Sequence, residues 1–127
     1  MPAKKVYEYA VIRLVPRVER EEFLNVGVIL YCRESRFLEV KIGLNQDRLK
    51  AFTAEIDGDE IQAYLQVWDW ICQGDHQGGP IAKLDPAGRF RWLTAVRSTV
   101  VQASRVHPGL TDDPKQVLEQ LFDQYVG

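Results

Sequence analysis

The sequence predicts a single α+β domain over residues 1–127, an antiparallel sheet of three to four strands packed against three to four helices. Three observations predict it. The first 42 residues hold three runs rich in β-branched and aromatic residues, joined by short polar connections. Residues 57–74 carry apolar side chains at helical spacing behind an acidic capping sequence. No repeat, low-complexity tract or linker divides the chain, and 127 residues lie within the ~100–200 of one domain.

Residues 5–15 alternate around Tyr7, Tyr9 and Val11 on one side and Val6, Ala10, Ile12 and Leu14 on the other, ending at Pro16. Apolar residues on both sides mark an interior strand covered on each face. Arg13 stands out in it, because a charge there needs a partner or the sheet's edge. After a charged connector at 17–23, residues 24–32 form a second strand and 37–42 a third. The polar turn Arg33-Glu34-Ser35-Arg36 makes the last two an antiparallel hairpin. A two-residue turn pairs Tyr31 with Leu38, and one more loop residue moves every partner.

A short helix is expected over 44–52. The longer one follows Asp57-Gly58-Asp59-Glu60, with Asp57 capping and Glu60 reaching back. Its stripe is Ile61, Tyr64, Leu65, Trp68, Ile71 and Cys72, and Gly74 ends it before a loop at 78–80. Asp85-Pro86 suits the cap and first residue of a helix over 86–95, with a hairpin turn at 85–88 as the alternative. Residues 98–104 read as a short strand that His107-Pro108-Gly109 breaks. Asp113-Pro114 opens a last helix whose apolar face holds Val117, Leu118, Leu121, Phe122 and Tyr125.

Composition excludes several classes. Hydrophobic residues are 46% and charged residues 27%, the balance of a globular protein rather than a disordered one. The longest nearly unbroken apolar run, Val26 to Cys32, is far short of the ~18 residues of a membrane helix. Met1-Pro2-Ala3-Lys4-Lys5 leads into no long apolar region, so a cytoplasmic protein is expected. Cys32 and Cys72 sit in apolar patterns as reduced core thiols, and Cys72 with His76 gives two ligands where structural zinc wants four. No metal site or cofactor is expected.

The 16 Lys and Arg against 18 Asp and Glu hide a segregated charge. Residues 1–20 carry +3, residues 51–82 carry −6, residues 83–106 carry +4 and residues 107–127 carry −3. The near-neutral total excludes a protein that is basic all over, but leaves room for a local basic site.

Three stretches resemble one bacterial family. They are Tyr9-Ala10-Val11-Ile12-Arg13 running through Val15-Pro16-Arg17 to Leu30; Arg89-Phe90-Arg91-Trp92-Leu93 running to Gln102; and Ser104-Arg105-Val106-His107-Pro108-Gly109-Leu110 with Asp113-Pro114 after it. Their order and spacing resemble the DUF3037 family, of unknown function, over nearly the whole chain. Val96 departs from similar sequences, which carry Pro. The resemblance implies no chemistry. It implies a protein partner, a HipA-type toxin kinase in a toxin–antitoxin or accessory-subunit context, because similar proteins are sometimes encoded beside one.

Candidate ligand-binding residues are Arg13, Arg17, Asn25, Arg97, Ser98, Ser104 and His107. Arginine offers a rigid fork of donors to carboxylate or phosphate, and Arg97-Ser98-Thr99 adds donors at a helix-to-strand junction. The bland alternative is structural: Arg13 pairs with a buried acid and Asn25 serves a bulge beside Gly27. Ser98 or Ser104 with His107 and Asp112 supplies the residue types of a serine hydrolase, but no Gly-x-Ser-x-Gly elbow is present. Catalysis is therefore not expected. Tyr7, Tyr9, Phe90 and Trp92 interleave with the basic blocks as bases would require, although core positions suit them better and nucleic acid is disfavoured. Val67 and Trp70 lie off the main stripe of the 57–74 helix and are candidate interface residues, for a partner or a homodimer. The sequence thus favours a non-enzymatic interaction or accessory module. The rival is a binder of a phosphorylated ligand or nucleic acid through Arg13, Arg97 and Ser98.

Overall fold

The first strand, β1 (Lys5–Leu14), is the axis of the sheet, with neighbours on both sides. On one side lies β2 (Leu24–Cys32), and beyond it β3 (Phe37–Ile42). On the other side lie β4 (Val101–Ala103), beside Ile12–Leu14, and β5 (His107–Thr111), beside Lys5–Tyr9. Every pairing is antiparallel. This computed structural model describes residues 4–16, 22–53, 56–95 and 100–127, and within them the α+β class is as expected.

The β2–β3 register pairs Tyr31 with Leu38 and Cys32 with Phe37, the register of the two-residue turn. Between β1 and β2 the pairing slips from Ile12↔Gly27 to Arg13↔Asn25. The extra residue, Val26, turns into the same core as Ile29, as a β-bulge allows.

One expected break is a strand. His107-Pro108-Gly109 opens β5 instead of ending the sheet. The interruption falls earlier, at 104–106, where Ser104 stands in for the ladder. Its amide donates to the Val11 carbonyl, and its hydroxyl accepts from the Val11 amide, each at 2.8 Å. Pro108 is tolerated because β5 is an edge strand. Gly109 leaves room for the Tyr7 ring: a Cβ there would lie 2.3 Å from it, and the ring would have to move.

Four α-helices flank the described sheet. Asn45 caps α1 (Gln46–Phe52), accepting the Arg48 amide at 3.0 Å. Asp57 caps α2 (Gly58–Gln73), which buries Ile61, Leu65, Trp68, Ile71 and Cys72. Tyr64 falls at the margin of that stripe and is 44% exposed. Gly74 ends α2 with φ +71°, and Arg89 donates from Nη1 to the Ile71 and Cys72 carbonyls there. The loop expected at 78–80 lies within 3-10 turns over His76–Lys83 that are broken at Gly79. Asp85 and Pro86 then open α3 (Pro86–Thr94), not a hairpin, and Phe90 and Leu93 point into the core. Asp113 and Pro114 open α4 (Pro114–Tyr125).

The sheet has two covered faces. Ala10, Ile12, Leu14, Ile29, Tyr31 and Leu38 meet α2 and α3 in the larger core. Val28 and Leu30 meet Leu118 and Val126 in a smaller one under α4, flanked by Tyr7, Tyr9, Phe37 and Tyr125. Cys32 and Cys72 are free, buried thiols, and burial pushes the Cys72 thiol up to about 12. None of the described helices is long and apolar enough to cross a membrane.

Candidate functional site

The polar residues of β1 and its neighbours divide into two places. At the bulge, Arg13 lies opposite Asn25, as two adjacent strands require. The Arg13 guanidinium lies 4.3 Å from the Phe23 ring centroid, a cation–π contact. Asn25 donates from Nδ2 to the Tyr125 carbonyl at 3.0 Å, tying the bulge to the end of α4. Arg13 Nε and Asn25 Oδ1 are both buried without a hydrogen-bond partner.

His107 belongs elsewhere. It pairs with Tyr9, four strand positions and so about 13 Å from Arg13. Its ring lies 5.3 Å from that of Tyr9, whose hydroxyl is 3.3 Å from the Tyr125 hydroxyl. That contact, then burial, raises the Tyr9 pKa to about 12. Ser104 is buried, with its hydroxyl accepting from Val11 and donating to the Arg105 carbonyl at 2.9 Å. Both capacities of the hydroxyl are spent on backbone, which is the role of a sheet residue rather than a nucleophile. Arg17, Arg97 and Ser98 lie outside the described residues.

On the other face of β1 lies a cleft the sequence did not single out. It has a volume of about 720 Å³, within the ~300–1,000 Å³ of ligand sites. Val6 and Glu8 of β1, the β2–β3 turn, and Asp85, Pro86, Ala87 and Arg91 around the start of α3 line it. Arg91 crosses to Glu8 through two parallel 2.8 Å hydrogen bonds, a fork-on-fork pair that holds the Arg91 pKa above its usual value. Asp85 is occupied by the Gly88 amide at 2.8 Å. Arg33 and Arg36 make no side-chain hydrogen bond or ion pair with any described residue. Arg36 also has φ +51°, a left-handed backbone that costs a non-glycine residue about 1–2 kcal/mol.

The family's sequence model, described as "Protein of unknown function (DUF3037)", matches residues 9–126. The chain belongs to the DUF3037 family. No curated protein and no solved structure matches this DUF3037 domain. Among its described residues, no group of three or more His, Cys, Asp or Glu could hold a metal ion.

Among the described residues, the two most exposed large apolar side chains are neither Val67 nor Trp70. Val67 and Trp70 are half-buried, and Val67 packs against the larger core. Val6 and Leu110 are instead 54% and 62% exposed. They are a cross-strand pair, so their side chains share one face of the sheet, and Val6 lines the cleft. Of the aromatics considered for base stacking, Phe90 is buried in the core and Trp92 is exposed. One signal could have found this surface. Val6 shares its side of β1 with Ala10, Ile12 and Leu14 but lies at the strand's start, where a cover of limited length runs out.

Proposed function

We propose that this DUF3037 domain is a non-enzymatic interaction module of the bacterial cytoplasm that docks a protein partner on the cleft side of β1 and β5. The observation that carries this reading is the Val6–Leu110 pair. On the sheet face that α2 and α3 otherwise cover, these two apolar side chains stay open, and they adjoin a cleft rimmed by arginines. An open apolar surface with a polar rim and arginine is the composition of a protein interface. The family resemblance nominates a HipA-type kinase as the first partner to try.

The test is affinity capture from the native cells, with nuclease treatment, using the wild type and a Val6→Asp, Leu110→Asp double variant. A stoichiometric protein retained by the wild type and lost by an equally folded variant is the expected result. A partner held equally by both, or none by either, overturns the reading.

A second reading keeps the sequence's rival alive at the bulge. A buried donor, Arg13 Nε, and a buried acceptor, Asn25 Oδ1, both lack partners on one face of adjacent strands, and buried polar groups are ordinarily satisfied. A small oxyanion or phosphate beside Arg13 would satisfy the donor. Titration of inorganic phosphate followed by amide shifts tests this. Shifts centred on residues 13 and 25 and abolished in Arg13→Gln support it; none at 50-fold excess refutes it.

A further inference from the structure

Resting on the docking reading above, we infer that the cleft takes an acidic peptide segment, one that sets a carboxylate side chain against Arg33 and Arg36 and an apolar side chain on Val6. The charges lining the cleft are not equally available. Glu8 and Arg91 neutralise each other, with both carboxylate oxygens engaged. Asp85 is turned to the first turn of α3. What remains is the four-residue turn, with Arg33 and Arg36 on either side of Glu34. The lining is formally neutral, but the charge not held in the Glu8–Arg91 pair or the Asp85 helix cap is net positive, and it is carried by guanidinium groups, whose forked donors fit a carboxylate.

The turn holds this arrangement at a conformational cost. Glycine or asparagine suits the left-handed backbone at position 36 better, yet arginine occupies it at the mouth of the cleft. Such a residue is a pointer to function when it is observed rather than assumed.

The apolar lining decides the class of ligand. Val6, Tyr31, Pro86 and Ala87 supply it, and Leu110 extends it one strand further to the sheet edge, a strip along which an extended peptide can lie. A nucleic acid would bring a phosphate at every step past Glu8, Glu34 and Asp85, and would leave the apolar strip unused. A peptide can alternate a carboxylate with an apolar side chain, which is what the cleft and its rim offer.

The probe is a phage-displayed library of random twelve-residue peptides, panned on the full chain and on two variants, Arg33→Gln with Arg36→Gln, and Val6→Asp with Leu110→Asp. Thermal melts check that each variant is folded; the turn is exposed and tolerates the first pair. The wild type is expected to enrich peptides with Asp or Glu within three positions of Leu, Ile or Phe. The arginine variant should bind a selected peptide about 10-fold or more weakly, and wild-type binding should weaken as salt rises. Enriched peptides without acidic residues that still need Val6 and Leu110 overturn the acidic class and leave the docking surface standing. No enrichment, or enrichment that neither variant disturbs, overturns both.

Discussion

The two faces of the sheet are held by different physics. Under α2 and α3 the contact is apolar and deep, with Ile12, Leu14, Leu65, Phe90 and Leu93 essentially sealed from water. Under α4 the buried cluster is smaller, Val28, Leu30, Leu118 and Val126, and the helix is pinned at its margins. The pins are the Tyr9–Tyr125 contact, the Asn25 bond to the Tyr125 carbonyl, and the ion pairs Lys115–Glu39 and Lys41–Glu119. The better-packed face is also the one left unfinished: its cover stops short of Val6 and Leu110. Strong burial elsewhere on a face lets one end stay open without loss of the fold, and an open end next to a charged cleft is usable for binding.

The largest expected effect tests the first half of that comparison. Phe90→Ala should cost about 3–5 kcal/mol in urea unfolding, because an aromatic side chain fully inside the larger core leaves a cavity. Leu118→Ala on the α4 face should cost about 2–3 kcal/mol, at the low end of the range for leucine, because the thin layer there can collapse. A larger loss at Leu118 than at Phe90 breaks the comparison.

Next in size is Ser104→Ala. It strands the buried Val11 amide and should lower stability by about 1–3 kcal/mol. This residue also marks where the sequence was legible and where it was not. The β2–β3 register, the capped helices α2 and α4 and the antiparallel class followed from local patterns: alternation, Asp caps and apolar stripes. The strand β5 did not, because Pro108 and Gly109 are poor strand residues anywhere but an edge, and the Tyr7 ring that packs over Gly109 is a hundred residues away in sequence. The Arg13–Asn25 pairing was legible from strand order; the separation of His107 from it was not. The cleft was least legible, because it is assembled from residues 6 and 8, the 33–36 turn and residues 85–91. In sequence, Arg33 and Arg36 look like any solvated turn.

A smaller effect separates the faces by pH. The Cys72 thiol in the larger core and the Tyr9 hydroxyl under α4 are both raised to about 12, from 9.0 and 10.0. In each case the folded state holds the proton more tightly than the unfolded chain. Stability from both is fully present below about pH 9 and falls as pH rises, from about 9 for Cys72 and from about 10 for Tyr9. In urea midpoints against pH, Cys72→Ala should remove the loss that begins near pH 9, and Tyr9→Phe should flatten only the part above 10. A pH slope unchanged by both substitutions contradicts these assignments.

The smallest effect concerns the pins. Lys115→Ala should lower the melting temperature slightly at low salt and not at all at 0.5 M salt, because the pair with Glu39 is exposed and screened. A loss that persists at high salt would make that ion pair more than a marginal pin.

The central claim is that the open end of the α2/α3 face is the docking surface. A photo-crosslinking side chain placed at Leu110, and separately at the exposed Gln120 on α4, tests it most directly in living cells. The account predicts one discrete crosslinked protein from position 110 and none from position 120. No product at 110, or the same product from both positions, would contradict it.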